Sequence, residues 1–220
     1  MIQAVIFDMD GLLIDSEPIW KAVEIEEFRA VGVPLTLEMT KQTTGRRAEE
    51  VVEYWHRRHP WHGPSRAEVY GRLIAKVTER IKAQGKAKPG AIEAVRAVSE
   101  AGLPTAIASS SEKAIIDAVV DKLGLGSFLQ LTYSAEHESH GKPHPAVYLT
   151  AAQKLGIHPH DCLALEDSPV GVLAAKAANM QCIAVPEAEN YQHPYLAIAD
   201  RVLDSLTDFN LTMLNELANS

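Results

Sequence analysis

Cysteine is scarce: Cys162 and Cys182 are the only two in 220 residues. That excludes a disulfide framework as the basis of the fold. Both sit in apolar runs, Cys162-Leu163-Ala164-Leu165 and Cys182-Ile183-Ala184-Val185, and read as small buried core residues. Positive charge is also short. With 21 Lys and Arg against 29 Asp and Glu, the net charge is −8. A surface of that sign repels nucleic acid and anionic membranes, so neither is an expected partner. A phosphorylated small molecule remains compatible, provided the local site is cationic. No apolar run is long enough to span a membrane and no secretory signal precedes the first strand, so the expected location is cytoplasmic. Internal repeats and low-complexity tracts are absent as well. What is present is ordinary globular material, 46% hydrophobic and 23% charged, in a chain long enough to bury a good core.

Short apolar runs alternate with helix-length amphipathic stretches. Strands are expected at 2–7, 104–108, 129–133, 163–165 and 182–185, with a weaker one at 201–203. Helices are expected between them at 91–101, 113–123, 145–155 and 170–178. Strands apolar throughout, alternating with helices, predict an α/β fold: a Rossmann-like parallel sheet with helices on both faces. One stretch breaks the alternation. From 16 to about 87 no strand is visible, and 17–31, 46–58 and 66–84 read as helices, the first capped by Asp15 or Ser16. The expected organisation is therefore a core of residues 1–14 and 88–220, with a small helical cap, 15–87, inserted after the first strand. Its exit is the Pro89-Gly90 turn, and its hinges are expected near Asp15 and Lys88.

Such a sheet carries its site at the carboxyl ends of its strands. The first strand ends in Asp8-Met9-Asp10-Gly11. Two carboxylates at the mouth of a buried strand repel each other and resist desolvation. They make sense with a cation between them and one of them attacking, so Asp8 reads as a nucleophile and Asp10 as its acid/base partner. The same residues also describe a solvated Asp-Gly turn. A calcium loop is excluded, because Gly11 comes too early and Leu12-Leu13-Ile14 is apolar where ligands belong. The second strand runs into Ser109-Ser110-Ser111, whose hydroxyls and amides suit an oxyanion and equally suit a helix cap. Lys142 lies in Gly141-Lys142-Pro143-His144-Pro145, where two prolines stiffen the chain. It reads as a fixed cation or as a solvated lysine. The fourth strand ends in Glu166-Asp167-Ser168, a second acidic pair that could join Asp8 and the backbone carbonyl of Asp10 in holding Mg²⁺, or could cap the next helix. His56, His59 and His62 are no second metal site, because Pro60 interrupts any common helix face.

These four pieces, in this order and each at a strand end, resemble the haloacid dehalogenase-like hydrolase superfamily across the whole chain. Asp8-Met9-Asp10-Gly11-Leu12-Leu13-Ile14-Asp15-Ser16-Glu17 is similar to its subgroup with a helical cap, which includes β-phosphoglucomutase and sugar phosphatases. The resemblance implies Mg²⁺ as cofactor, with Asp8, Asp10, Glu166 and Asp167 around it, and phosphoryl transfer through an aspartyl phosphate on Asp8. Ser109 and Ser110 would hold phosphoryl oxygens and Lys142 would offset charge. Dehalogenases of the superfamily lack an acid at the Asp10 position, which favours phosphate esters. The mutase pattern has a histidine where this chain has Trp20, which favours hydrolysis. The cap segment, with Ile19-Trp20, Thr44-Gly45-Arg46-Arg47, Trp55 and Pro60-Trp61-His62-Gly63, is similar to bacterial hexitol phosphatases and 2-deoxyglucose-6-phosphate phosphatases. That places Trp20, Gly45 and Arg47 as substrate-binding residues, with the tryptophans serving either as cap core or as sugar platforms. The expected activity is a Mg²⁺-dependent phosphatase of small sugar or sugar-alcohol phosphates, acting as a monomer. The alternatives are a phosphosugar mutase, a phosphonate hydrolase, for which no cap lysine is identifiable, and a non-enzymatic phosphate-binding module.

Overall fold

The computed structural model describes residues 1–217. Its centre is one sheet of six strands: β1 (Ala4–Phe7), β2 (Thr105–Ser109), β3 (Leu131–Ser134), β4 (Cys162–Glu166), β5 (Gln181–Ala184) and β6 (Arg201–Val202). All pairings are parallel, in the order β3-β2-β1-β4-β5-β6, so the first strand is central. Parallel neighbours need crossovers, and the helices provide them. These are α5 (Ala91–Glu100), α6 (Lys113–Leu123), α7 (Ala146–Leu155) and α8 (Pro169–Ala177), with α9 (Thr212–Leu217) at the end of the described chain.

Alternation along each strand sends its side chains to two different cores. Val5, Phe7, Ile107, Leu163, Leu165 and Ile183 face a large apolar cluster shared with α5 and α6. Ala4, Ile6, Ala106, Ala108, Ala164 and Ala184 face a second cluster made with α7 and α8. Small residues on that second face let α7 and α8 lie close to the sheet. Cys162 and Cys182 belong there as free, fully buried thiols.

Between β1 and α5 the chain is helical: α1 (Glu17–Ala30), α2 (Leu37–Thr40), α3 (Ala48–Arg58) and α4 (Arg66–Gln84). Helix α4 starts on a capping box in which Ser65 and Glu68 satisfy each other's backbone N–H groups. Its Val69, Leu73, Val77 and Ile81, at helical spacing, bury against Val23 and Phe28 of α1 and Trp55 of α3. Trp55 and Trp61 are therefore core of this layer and not platforms. The linkers run side by side: Ile14 and Ala87 form an isolated antiparallel bridge, the Asp15 amide donates to the Lys86 carbonyl (2.9 Å), and that of Lys88 to Leu13 (3.0 Å). No helix is long and apolar enough to cross a membrane among the described residues.

Candidate active site

Register brings the site together. Phe7 pairs with Ile107 on one side and Leu165 on the other. One residue further on, Asp8, Ala108–Ser109 and Glu166–Asp167 stand along one edge of the sheet. The Asp8 amide donates to the Leu165 carbonyl (2.9 Å), which carries the ladder up to the nucleophile position itself. Gly11 then turns the chain at φ +82°, a conformation open to glycine. A Cβ there would fall 2.2 Å from Asp167 Oδ2, so the turn also makes room for the second acidic pair.

Lys142, four per cent exposed, reaches into this edge from the loop between β3 and α7. Its Nζ donates to Asp8 Oδ1 (2.6 Å), Glu166 Oε1 (2.6 Å), Tyr148 Oη (3.2 Å) and the Ala108 carbonyl (3.3 Å). Burial opposes the charge on Lys142, yet Asp8 and Glu166 together hold its ammonium above the ordinary lysine range. Burial pushes the Asp8 carboxyl up to about 7 against the pull of Lys142. Burial, then Asp8 and Glu166, raise Asp167 well above the usual carboxylate range.

The Asp10 carboxylate turns the other way and collects hydroxyl and indole donors. Ser16 Oγ (2.5 Å) and Trp20 Nε1 (3.3 Å) donate to Oδ1, and Ser111 Oγ (2.7 Å) and Ser109 Oγ (3.4 Å) to Oδ2. Ser16 occupies the N-cap position of α1 without capping it, because its hydroxyl is diverted to Asp10. The other capping alternatives fall the same way. Ser168, not the acidic pair, caps α8 by accepting from the Gly171 amide (3.0 Å), and Glu112 precedes α6 without capping it. Neither the acidic pair nor Glu112 is thus spent on a helix cap.

The expected metal cluster forms in part. Ligand oxygens of Asp8, Glu166 and Asp167 lie within 4.8 Å of one another, the group of this kind found among the described residues. The buried Asp8 and Glu166 both bond Lys142 and the partly exposed Asp167 lies beside them, so ionising all three leaves surplus negative charge. It fits a hard divalent cation that prefers oxygen ligands. Glu166 is the most committed of the three: it also accepts from the Tyr148 and Ser168 hydroxyls. The Asp10 side chain lies outside this group.

Above the sheet edge lies a cleft lined by Asp8, Asp10, Ser109, Ser110, Lys142 and Asp167 from below. Trp20 and Gly45 line it from above, where sequence reading placed them. Gly45, at φ +79°, sits so that a Cβ would touch Val170 at the start of α8. Arg47 is not brought into the cleft. Its guanidinium pairs with Glu50 (2.7 Å) and donates to the Glu138 carbonyl (2.9 Å), tying the start of α3 to the loop ahead of Lys142. Its neighbour Arg46 lines the cleft instead. The Arg46 guanidinium itself lies over the Tyr54 ring, 5.1 Å from its centroid. Sequence reading missed Ser16, Ser111 and Tyr148, and the cleft-lining Glu24 and Glu112. Ser111 alone had a local signal, being part of the serine run.

Residues 2–179 match the family model for haloacid dehalogenase-like hydrolase. The chain is 42% identical to hexitol phosphatase B of Escherichia coli over 208 residues, which cover 94% of each protein. It is 28% identical to the fructose-1-phosphate phosphatase YqaB of the same organism, over 82% of this chain and 94% of that one. Among solved structures, CbbY of Rhodobacter sphaeroides in complex with xylulose 1,5-bisphosphate superposes with a TM-score of 0.86 at 26% identity, covering 97% of this chain and 99% of that one. A β-phosphoglucomutase from Clostridium difficile shares the fold, with a TM-score of 0.84 at 23% identity over 100% and 98% of the two chains. The chain belongs to the haloacid dehalogenase-like hydrolase family.

Proposed function

We propose that this chain is a Mg²⁺-dependent phosphatase of small sugar and sugar-alcohol monophosphates, of the hexitol phosphate or 2-deoxyglucose 6-phosphate type. The observation that carries this reading is the pairing of two differently set aspartates on one strand end. Asp8 lies against Lys142 among the acids, and Asp10 lies among hydroxyl donors. Asp8 is placed to attack phosphorus, forming an Asp8–phosphorus bond as the bond to the leaving oxygen breaks. Asp10 is placed to deliver the proton that the leaving oxygen needs, and then to take one from the water that hydrolyses the aspartyl phosphate. Lys142 offsets charge on Asp8 and on the phosphoryl oxygens, and Ser109 and Ser110 hold those oxygens. A magnesium ion held by Asp8 and Asp167, with Glu166 and the Asp10 carbonyl, would supply further positive charge at the phosphoryl group when bound. Residues 15–87 act in this reading as a cap that excludes water and contacts the leaving group.

The similarity to hexitol phosphatase B supports the substrate class. Against mutase chemistry stands Trp20, whose indole can donate to Asp10 but cannot shuttle a proton. The test is phosphate release, with and without Mg²⁺, from hexitol, hexose, deoxyhexose and glycerol phosphates and from β-glucose 1-phosphate. Metal-dependent release from six-carbon 6-phosphates is expected. Conversion of β-glucose 1-phosphate to glucose 6-phosphate without release would make the protein a mutase.

A further inference from the structure

Helix α1 turns one face to the cleft, so that Glu17, Trp20, Lys21 and Glu24 all line it. Trp20 serves Asp10, and Glu17 and Lys21 pair with each other. Among the described residues, Glu24 makes no such bond. It is nine per cent exposed, beside the buried Val23 and one turn from Phe28. Lys21, the cation that acts on it, is paired with Glu17. Burial, with Glu17 adding and Lys21 opposing, pushes its carboxyl up to about 7. A carboxyl in such a place is costly to folding, and a leucine or methionine would fill it at less expense. Costs of that kind persist where a group is needed for binding.

Glu112, at the start of α6, lines the same cleft. Its Oε1 accepts the Tyr70 hydroxyl (3.0 Å), while its buried Oε2 has no hydrogen-bond partner among the described residues. Thr40 and Thr43 also line the cleft. Their hydroxyls donate to backbone carbonyls (2.8 and 3.1 Å) and keep lone pairs for acceptance. Carboxyl groups and threonine hydroxyls lining one cleft suit a leaving group rich in neutral hydroxyls and disfavour a second phosphate.

We propose that the Glu24 carboxyl binds a hydroxyl of the leaving group and so selects neutral polyhydroxylated phosphomonoesters over bisphosphates and over esters without hydroxyls. This deepens the phosphatase reading and rests on it. The test compares kcat/KM for sorbitol 6-phosphate with that for p-nitrophenyl phosphate in wild type, Glu24→Gln and Glu24→Leu. In Glu24→Leu the ratio is expected to fall about tenfold, through KM, as expected for one lost hydrogen bond. In Glu24→Gln, whose amide can still bond a hydroxyl, it stays within about threefold of wild type. Thermal unfolding of Glu24→Leu should be no lower than that of wild type, which a merely structural role would not give. Glu24→Met provides the same comparison if Glu24→Leu does not fold. Equal loss on both esters, or no loss on either, overturns the assignment of Glu24. A wild type inactive on both esters overturns the phosphatase reading, and this proposal with it.

Discussion

Replacing Lys142 by methionine removes the single buried cation from a group of three carboxylates and nearly preserves volume. Nζ makes bonds of 2.6 Å to both Asp8 and Glu166, at four per cent exposure, so little solvent screens the loss. Breaking a buried pair from one side typically costs about 3–5 kcal/mol. The cost should also depend on pH. In wild type Asp8 titrates at about 7, so above that pH it is ionised beside Lys142. In the variant Asp8 must keep its proton or ionise next to Glu166 and Asp167, and keeping the proton costs about 1.4 kcal/mol for each pH unit. The sign follows from linkage. A carboxyl whose folded pKa is raised binds more protons in the folded state, so folding weakens as pH rises until that pKa is passed. Wild type passes it near 7 and the variant later, so the stability gap should widen by about 2–3 kcal/mol between pH 7 and 9. Urea unfolding in metal-free buffer at pH 7, 8 and 9 measures it. A gap below about 1 kcal/mol, or one that does not change with pH, would refute the assignment of Lys142 as the charge-balancing partner of Asp8. Turnover in this variant should fall at least about 10²–10³-fold.

Asp10→Asn keeps the shape that Ser16, Trp20 and Ser111 surround, so circular dichroism should be unchanged while turnover drops by about 10²–10⁴-fold; near-normal turnover would remove Asp10 from proton transfer. Gly11→Ala forces a side chain into positive φ and against Asp167 Oδ2, so both stability and Mg²⁺ affinity should fall, and an unaltered metal titration would contradict the placement of Asp167. Glu24, with its carboxyl raised from 4.5 to about 7, should cost the wild type about 3 kcal/mol of stability progressively as pH rises through that window, since the folded state retains the proton that the unfolded state releases. Glu24→Gln should lack this slope, and a constant difference between the two proteins from pH 4.5 to 7.5 would show that Glu24 is not held protonated.

Much of this site was legible before any coordinates, because its parts sit at strand ends. An apolar run ending in charge or in hydroxyls is a local signal, and Asp8, Glu166–Asp167 and Ser109 carry it. The helices were legible to within a residue or two from apolar spacing, and Lys113–Leu123 and Arg66–Gln84 ended where their patterns end. Four-residue α2 was too short to show a period, and α9 follows the weak β6 without clear caps. Ser16, Tyr148, Glu24 and Glu112 were not legible for a different reason. Each looks locally like an N-cap, a helix-face aromatic or a solvated acid, and acquires its role only from neighbours outside its own element. Arg46 and Arg47 show the same limit: identical chemistry, one residue apart, leaves the Arg46 guanidinium over the Tyr54 ring and ties that of Arg47 to Glu50 and Glu138.

The covalent step can be trapped directly. Enzyme mixed with ³²P-labelled hexitol phosphate and Mg²⁺, then quenched in acid within milliseconds, should carry label that hydroxylamine removes, as an acyl phosphate does. Asp8→Asn, folded normally, should carry none and release no phosphate. Label that persists in Asp8→Asn, or steady phosphate release by that variant, would contradict Asp8 as the nucleophile and with it the phosphatase mechanism proposed for this site.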